Sequence, residues 1–102
     1  MQDKIAIQDK ISSEKLDKYF KITGDALKKI KISPPEKTHL EKMALDFLDM
    51  AQRYYEDAKH FSKNGEIVTA FAALNYAHGW LDAGARAGLF DVEHDNVLFT
   101  VD

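Results

Sequence analysis

The sequence predicts an all-α fold, a three-helix up-and-down bundle followed by a short extended C-terminal tail. Three observations carry this expectation. Apolar residues recur at helical spacing in three separate stretches. Those stretches are divided by Pro34-Pro35 and by Asn64-Gly65, residue types that stop helices. Of 102 residues, 45% are hydrophobic and 30% charged, with only two prolines, which is the balance of a folded, well-solvated single core rather than a disordered chain.

Residues 1–11 carry Ile5, Ile7 and Ile11 among charges without a helical repeat, and are expected to form an arm. The first helix is expected from Ser12 or Ser13, either of which can cap orphan amides. Its buried face reads Leu16, Tyr19, Phe20, Thr23, Leu27 and Ile30, with Lys28, Lys29 and Lys31 placed favourably at the C-terminal dipole. For the second helix the start is read at Ser33 as cap, Pro34 at the first helical position and Glu36 completing a capping box. Leu40, Ala44, Phe47, Ala51, Tyr54, Ala58 and Phe61 then form its seam, widened by Met43, Leu48 and Tyr55, as suits a central helix. At about 30 residues this helix would be roughly 45 Å long, with Gly65 as its stop. The third helix is read from Glu66 to Ala87, closed by Gly88, with Leu89 or Phe90 folding back as the hydrophobic contact of the stop. Its seam is Ile67, Ala70, Leu74, Ala77, Leu81 and Gly84, small residues that permit close approach to a bulkier second helix. The bundle thus spans 12–90. In the remaining segment, 91–102, acidic residues give way to Val97, Leu98, Phe99 and Val101, which have strand propensity but no predicted strand to pair with. This tail is expected to lie extended against the bundle or a partner.

The absence of cysteine excludes disulfides, thiolate nucleophiles and cysteine-ligated metal centres, and suits a reducing compartment. No apolar run approaches the roughly 20 residues that span a bilayer, and MQDKIAIQDK lacks the apolar stretch of a signal peptide. A soluble, cytoplasmic protein without a membrane partner is expected. The net charge of −3 is unevenly spread: residues 1–42 hold ten Lys against seven acids, and residues 43–102 hold two Lys and two Arg against ten acids. With Arg53 and Arg86 the only arginines, sequence-specific nucleic-acid binding is disfavoured. Glu36 and His39 make a single E-x-x-H, where di-iron bundles need two, and Asp91, Glu93, His94 and Asp95 lack the Gly and distal Glu of a calcium loop. No phosphate loop, nucleophile elbow or triad order is present. No metal, cofactor or catalytic residue is therefore assigned.

The third helix is apolar nearly all round, which makes its exceptions informative. Asn75, His78, Asp82 and Arg86 fall within an arc of roughly 80° and form one narrow polar line. Asp82 is the i, i+4 neighbour of both His78 and Arg86, so it can bridge an imidazole and a guanidinium. Bordered by Phe71, Tyr76 and Trp80, the line reads as a recognition surface; read structurally, it is a solvated face with ion pairs worth about 0.3 to 0.5 kcal/mol each. Gly79 lies beside it. A helical glycine costs around 1 kcal/mol relative to alanine, and close approach by another chain or ligand would account for it. Arg53 and His60, in RYYEDAKH, resemble the Arg-to-His spacing of the helical ribonuclease-like fold of toxin and antiviral systems, whose pair acts in metal-independent RNA cleavage. Here Tyr54 stands where that family usually has a polar residue.

The run AFAALNYAHGWLDAGARAGLF, from Ala70 to Phe90, with YYEDAKHFSKNGE before it, resembles the archaeal domain-of-unknown-function family 357 over about two thirds of the chain. The resemblance implies a short left-handed three-helix up-and-down bundle and an archaeal cytoplasmic source, and no activity. Its specific core is G-W-L-D-A-G-A-R, and His78, just before it, with Gly79, Trp80, Asp82, Gly84 and Arg86 within it, are the positions that the resemblance would mark beyond packing. The functional expectation is a non-enzymatic protein-interaction or oligomerisation module. Its surface would comprise Asn75, His78, Gly79, Trp80, Asp82 and Arg86, and would engage a protein partner or a second copy. The alternative is a ribonuclease-like domain using Arg53 and His60. A small-molecule ligand has nothing beyond the charge of Arg86 to speak for it.

Overall fold

Ser12 accepts a hydrogen bond from the Lys15 amide at 3.1 Å and so caps the first helix. The computed structural model describes residues 5–101, as α1 (Ser13–Lys29), β1 (Lys31–Ile32), α2 (His39–Lys63), α3 (Ile67–Arg86) and β2 (Phe90–Asp91). It is a three-helix all-α bundle, α2 and α3 forming the main hairpin and α1 packing chiefly against α3. None of the described helices is long and apolar enough to cross a membrane. Of the predicted arm, residues 1–4 lie outside the described residues, Ile5 and Ile7 are exposed, and Ile11 packs beside Leu16 and Leu74.

Both predicted glycine stops are formed. At the end of α2, Gly65 takes φ +79°, its amide donates to the Ser62 carbonyl and Glu66 N donates to Phe61 O. At the end of α3, Gly88 takes φ +76°, with Gly88 N on Ala85 O and Leu89 N on Gly84 O. Each is the double closure that satisfies terminal carbonyls and needs a left-handed residue just past the cap.

The start of α2 differs from the sequence reading. The cap is Thr38, whose hydroxyl accepts from Glu41 N at 3.2 Å while Glu41 Oε1 accepts from Lys37 N at 3.1 Å. The cap and its glutamate therefore stand five residues later than Ser33 and Glu36, and Glu41 takes the amide preceding the cap rather than the cap's own. The reason is long-range: β1 pairs antiparallel with β2, Lys31 opposite Asp91 and Ile32 opposite Phe90, and Ser33 N continues the ladder onto Leu89 O at 3.0 Å. With its amide committed there, Ser33 has no N–H left for Glu36 to complete the predicted box. The helix is accordingly 25 residues long, about 37 Å. Thr38→Ala is expected to lower stability by about 1 kcal/mol and Ser33→Ala by a few tenths at most, read from urea midpoints; equal losses would contradict this start.

Two clusters make the core. Ala26, Ala44, Ala51, Leu81, Leu89, Phe90, Val92 and Phe99 pack at the ribbon end, and Leu16, Ala58, Ala70, Ala73 and Leu74 at the α2–α3 turn. The fully buried residues of α2 are Ala44, Ala51 and Ala58, seven apart, while seam member Leu40 is exposed. Across from them α3 presents Ala70, Ala77 and Gly84, also seven apart and buried. Both helices are thus small at the contact, where the sequence reading made only α3 so. Phe47, Tyr54 and Phe61 stand to the side, half-buried.

The tail lies against the bundle, as expected, but β2 and a series of turns shape it rather than one extended run. Val92 and Phe99 are buried. Asp95 Oδ1 accepts from both Val97 N and Leu98 N at 3.0 Å and holds the last turn.

Candidate functional site

A polar residue inside an apolar seam needs a partner, because a buried hydroxyl left unpaired costs about 1 to 3 kcal/mol. In α1 that residue is Thr23, 1% exposed. Its Oγ1 lies 3.2 Å from His78 Nδ1 on α3, and His78 Nε2 lies 2.7 Å from the Leu98 carbonyl. A carbonyl only accepts, so Nε2 carries a proton; in the neutral ring Nδ1 accepts from the Thr23 hydroxyl. One imidazole thereby joins α1, α3 and the tail.

One turn further along α3, Asp82 accepts from Thr100 N at 2.9 Å and from Thr100 Oγ1 at 3.1 Å. One turn beyond that, Arg86 Nη1 donates to Thr100 O at 3.2 Å. His78 Nε2 is 3.8 Å from Asp82 Oδ1, and among the described residues Asp82 and Arg86 form no ion pair. The polar line is therefore a clamp. Three side chains at i, i+4, i+8 hold the backbone of residues 98–100, and the Phe99 side chain is buried between their attachment points. Asn75 and Gly79 line the same open groove of about 560 Å³, together with Tyr19 and Ile22. A methyl group added at Gly79 would meet no atom within 4 Å among the described residues, so no close approach there accounts for that glycine.

Trp80 is on a different surface. Its ring packs edge-on against Phe47 of α2 at 4.9 Å and near Tyr76 at 6.0 Å, and Tyr76 meets Tyr54 of α2 at 4.5 Å. This row of four rings runs along the flank of the α2–α3 hairpin, on the opposite side from the α1 contacts of Phe71 and Tyr55. Trp80 Nε1 is buried without a hydrogen-bond partner among the described residues, while Tyr76 is 49% exposed. The single surface read from sequence is thus two: a clamp at Asn75, His78, Gly79, Asp82 and Arg86, and an aromatic flank at Trp80.

Arg53 and His60 share the exposed face of α2, two turns apart. Arg53 Nε donates to Asp49 Oδ2 at 2.8 Å and the His60 ring pairs with the Asn64 amide at 3.2 Å. Each has a local partner on its own helix, and the shallow groove at Arg53 is lined by Gln52, Glu56 and Asp57, not by His60. Sequence reasoning missed Thr23, Phe99 and Thr100 as parts of the clamp. The available signal was Thr23, a hydroxyl on an otherwise apolar seam.

No curated protein and no solved structure matches the chain. The model of a family described as proteins of unknown function, DUF357, does match over residues 18–90, from within α1 to the first residue of β2, and the chain belongs to that family.

Proposed function

We propose that this protein is a non-enzymatic interaction module that docks another protein on the aromatic flank of α2 and α3. The observation that carries the reading is Tyr76, half-exposed beside a Trp80 whose buried Nε1 has no acceptor among the described residues. Tyrosine and tryptophan supply large, rigid contact area at low entropic cost and are enriched where interfaces concentrate their energy. Met43 and Leu40 extend the apolar surface toward the start of α2. Asp46 and Asp57, both exposed, stand one turn from Met43 and Tyr54 and give the flank an acidic border, which favours a partner with basic residues around an apolar stripe.

A photo-crosslinking residue at position 76, compared with one at position 60 on the solvent face of α2, tests this in cells of the source organism. A discrete protein adduct at 76 and none at 60 is the expected outcome. Equal adducts at both positions, or none at 76, would sink the proposal.

A further inference from the structure

We infer that the α3 clamp of His78, Asp82 and Arg86 is a binding site for a turn-forming peptide carrying a buried aromatic residue, and that it takes the tail of a second copy of this chain by exchange. The ligand it fits is already visible, because residues 98–100 fill the clamp from within the same chain. Of the four polar contacts, three go to backbone atoms, Leu98 O, Thr100 N and Thr100 O, and one to the Thr100 hydroxyl. Contacts made mainly to backbone atoms hold this turn, closed by Phe99 N on Asp95 O and Val101 N on Phe99 O, whichever chain supplies it. Phe99, 3% exposed, is the side-chain anchor. The clamp lies inside the family match of residues 18–90, whereas the segment it holds lies beyond it.

The connection between them favours exchange. Glu93 and His94 are consecutive non-glycine residues with φ +55° and +59°, a conformation that β-carbon sterics disfavour. They form the tight turn that sends the tail back along its own α3, between Val92, which stays in the core, and Asp95, which shapes the terminal turn. Opening that turn to an extended conformation relieves both residues. The freed tail then lies in the clamp of a neighbouring copy and makes the same contacts there. Short strained hinges of this kind promote exchange between identical chains, the cost being translational freedom, so the dimer is concentration-dependent. Lys29 and Lys31, 4.0 and 3.6 Å from the Glu93 carboxylate, oppose the opening only weakly, since both ion pairs are solvent-exposed.

Light scattering on the full chain, from micromolar to millimolar, tests the exchange. A monomer–dimer equilibrium is expected in the wild type. Glu93→Gly/His94→Gly, which removes the strain without touching the core, should weaken the dimer by about tenfold or more. Phe99→Ala, which removes the anchor, should abolish it. A wild type that is monomeric throughout, or a dimer indifferent to the glycine hinge, overturns the inference, and the hinge variant decides even if Phe99→Ala does not fold. The flank is tested separately by Tyr76→Glu. A dimer lost in Tyr76→Glu but kept in the hinge variant assigns self-association to the flank and refutes exchange. Failure of the flank's crosslinks leaves the exchange standing.

Discussion

Gly84→Ala is expected to destabilise the protein by about 3 kcal/mol, even though alanine is the better helix former by about 1 kcal/mol. The reason is the Phe90 ring. A methyl group at position 84 would overlap Phe90 Cε2 and Cδ2, and Phe90 is 3% exposed within the core, so its ring must shift to admit the methyl. Phe90 is also the residue of β2 that pairs with Ile32, so moving its ring strains the ribbon that sets where α2 begins. The effect can be isolated by a double-mutant cycle. Phe90→Ala alone should cost about 3 to 5 kcal/mol. In that background the obstacle is gone, and Gly84→Ala should become neutral or stabilising by up to about 1 kcal/mol. Urea unfolding of the four proteins measures the coupling. Additive losses would mean that the ring does not rest on the Gly84 backbone, and the account of β2 would fall with it.

The features legible in the sequence are those decided within a few residues. The two glycine stops, the Ser12 cap and the register of α3 depend on local periodicity and on one residue's freedom to take positive φ, and each is present at its expected place. The start of α2, read at Ser33 but formed at Thr38, differs for a physical reason. Ser33 and Thr38 both head a cap-x-x-Glu pattern or its near equivalent, and local chemistry cannot choose between them. The choice is made by Leu89, 56 positions away from Ser33, whose carbonyl takes the Ser33 amide. The same holds for α2's inner face. A broad apolar stripe fits several rotations of a helix, and only the close approach of α3 selects the alanine line at Ala44, Ala51 and Ala58 over the aromatic line at Phe47, Tyr54 and Phe61.

The polar line on α3 shows the same limit at the site itself. Its membership was readable from residue types at i, i+4 spacing, but the identity of its partner was not, because backbone atoms of a distant segment leave no mark in a sequence pattern. Trp80 was grouped with it by nearness along the chain. A step of two residues turns a helix by 200°, so Trp80 and His78 or Asp82 point to different sides, one to Phe47 and the others to Thr23 and Thr100. What looked like one surface with an aromatic border is a tail clamp and a separate aromatic flank, and the two can be perturbed independently.

Phe99→Ala is expected to lower stability by about 3 kcal/mol, at the low end of the range for a buried phenylalanine. The limit is set by position. Phe99 belongs to a segment held by turns and side-chain contacts rather than by a helix or strand, so once its ring is removed that segment can leave the bundle instead of surrounding a cavity, and the loss cannot exceed the free energy that docks it. Leaving has its own cost. Leu98 and Val101 give up their packing against the Leu81 cluster. The Asp82 carboxylate loses its donors in Thr100 and the His78 Nε2–H loses its acceptor, the Leu98 carbonyl, though both face an open groove and water can replace them. Local release therefore predicts a signature that a rigid cavity does not. Amide exchange at Thr100, whose N–H is held by Asp82, should accelerate by about a hundredfold, while amides at the centre of α3, such as Leu74, change only with global stability. A loss below about 1 kcal/mol with Thr100 still protected would mean that the polar clamp alone holds the tail, and that burial of the Phe99 ring contributes little to its position.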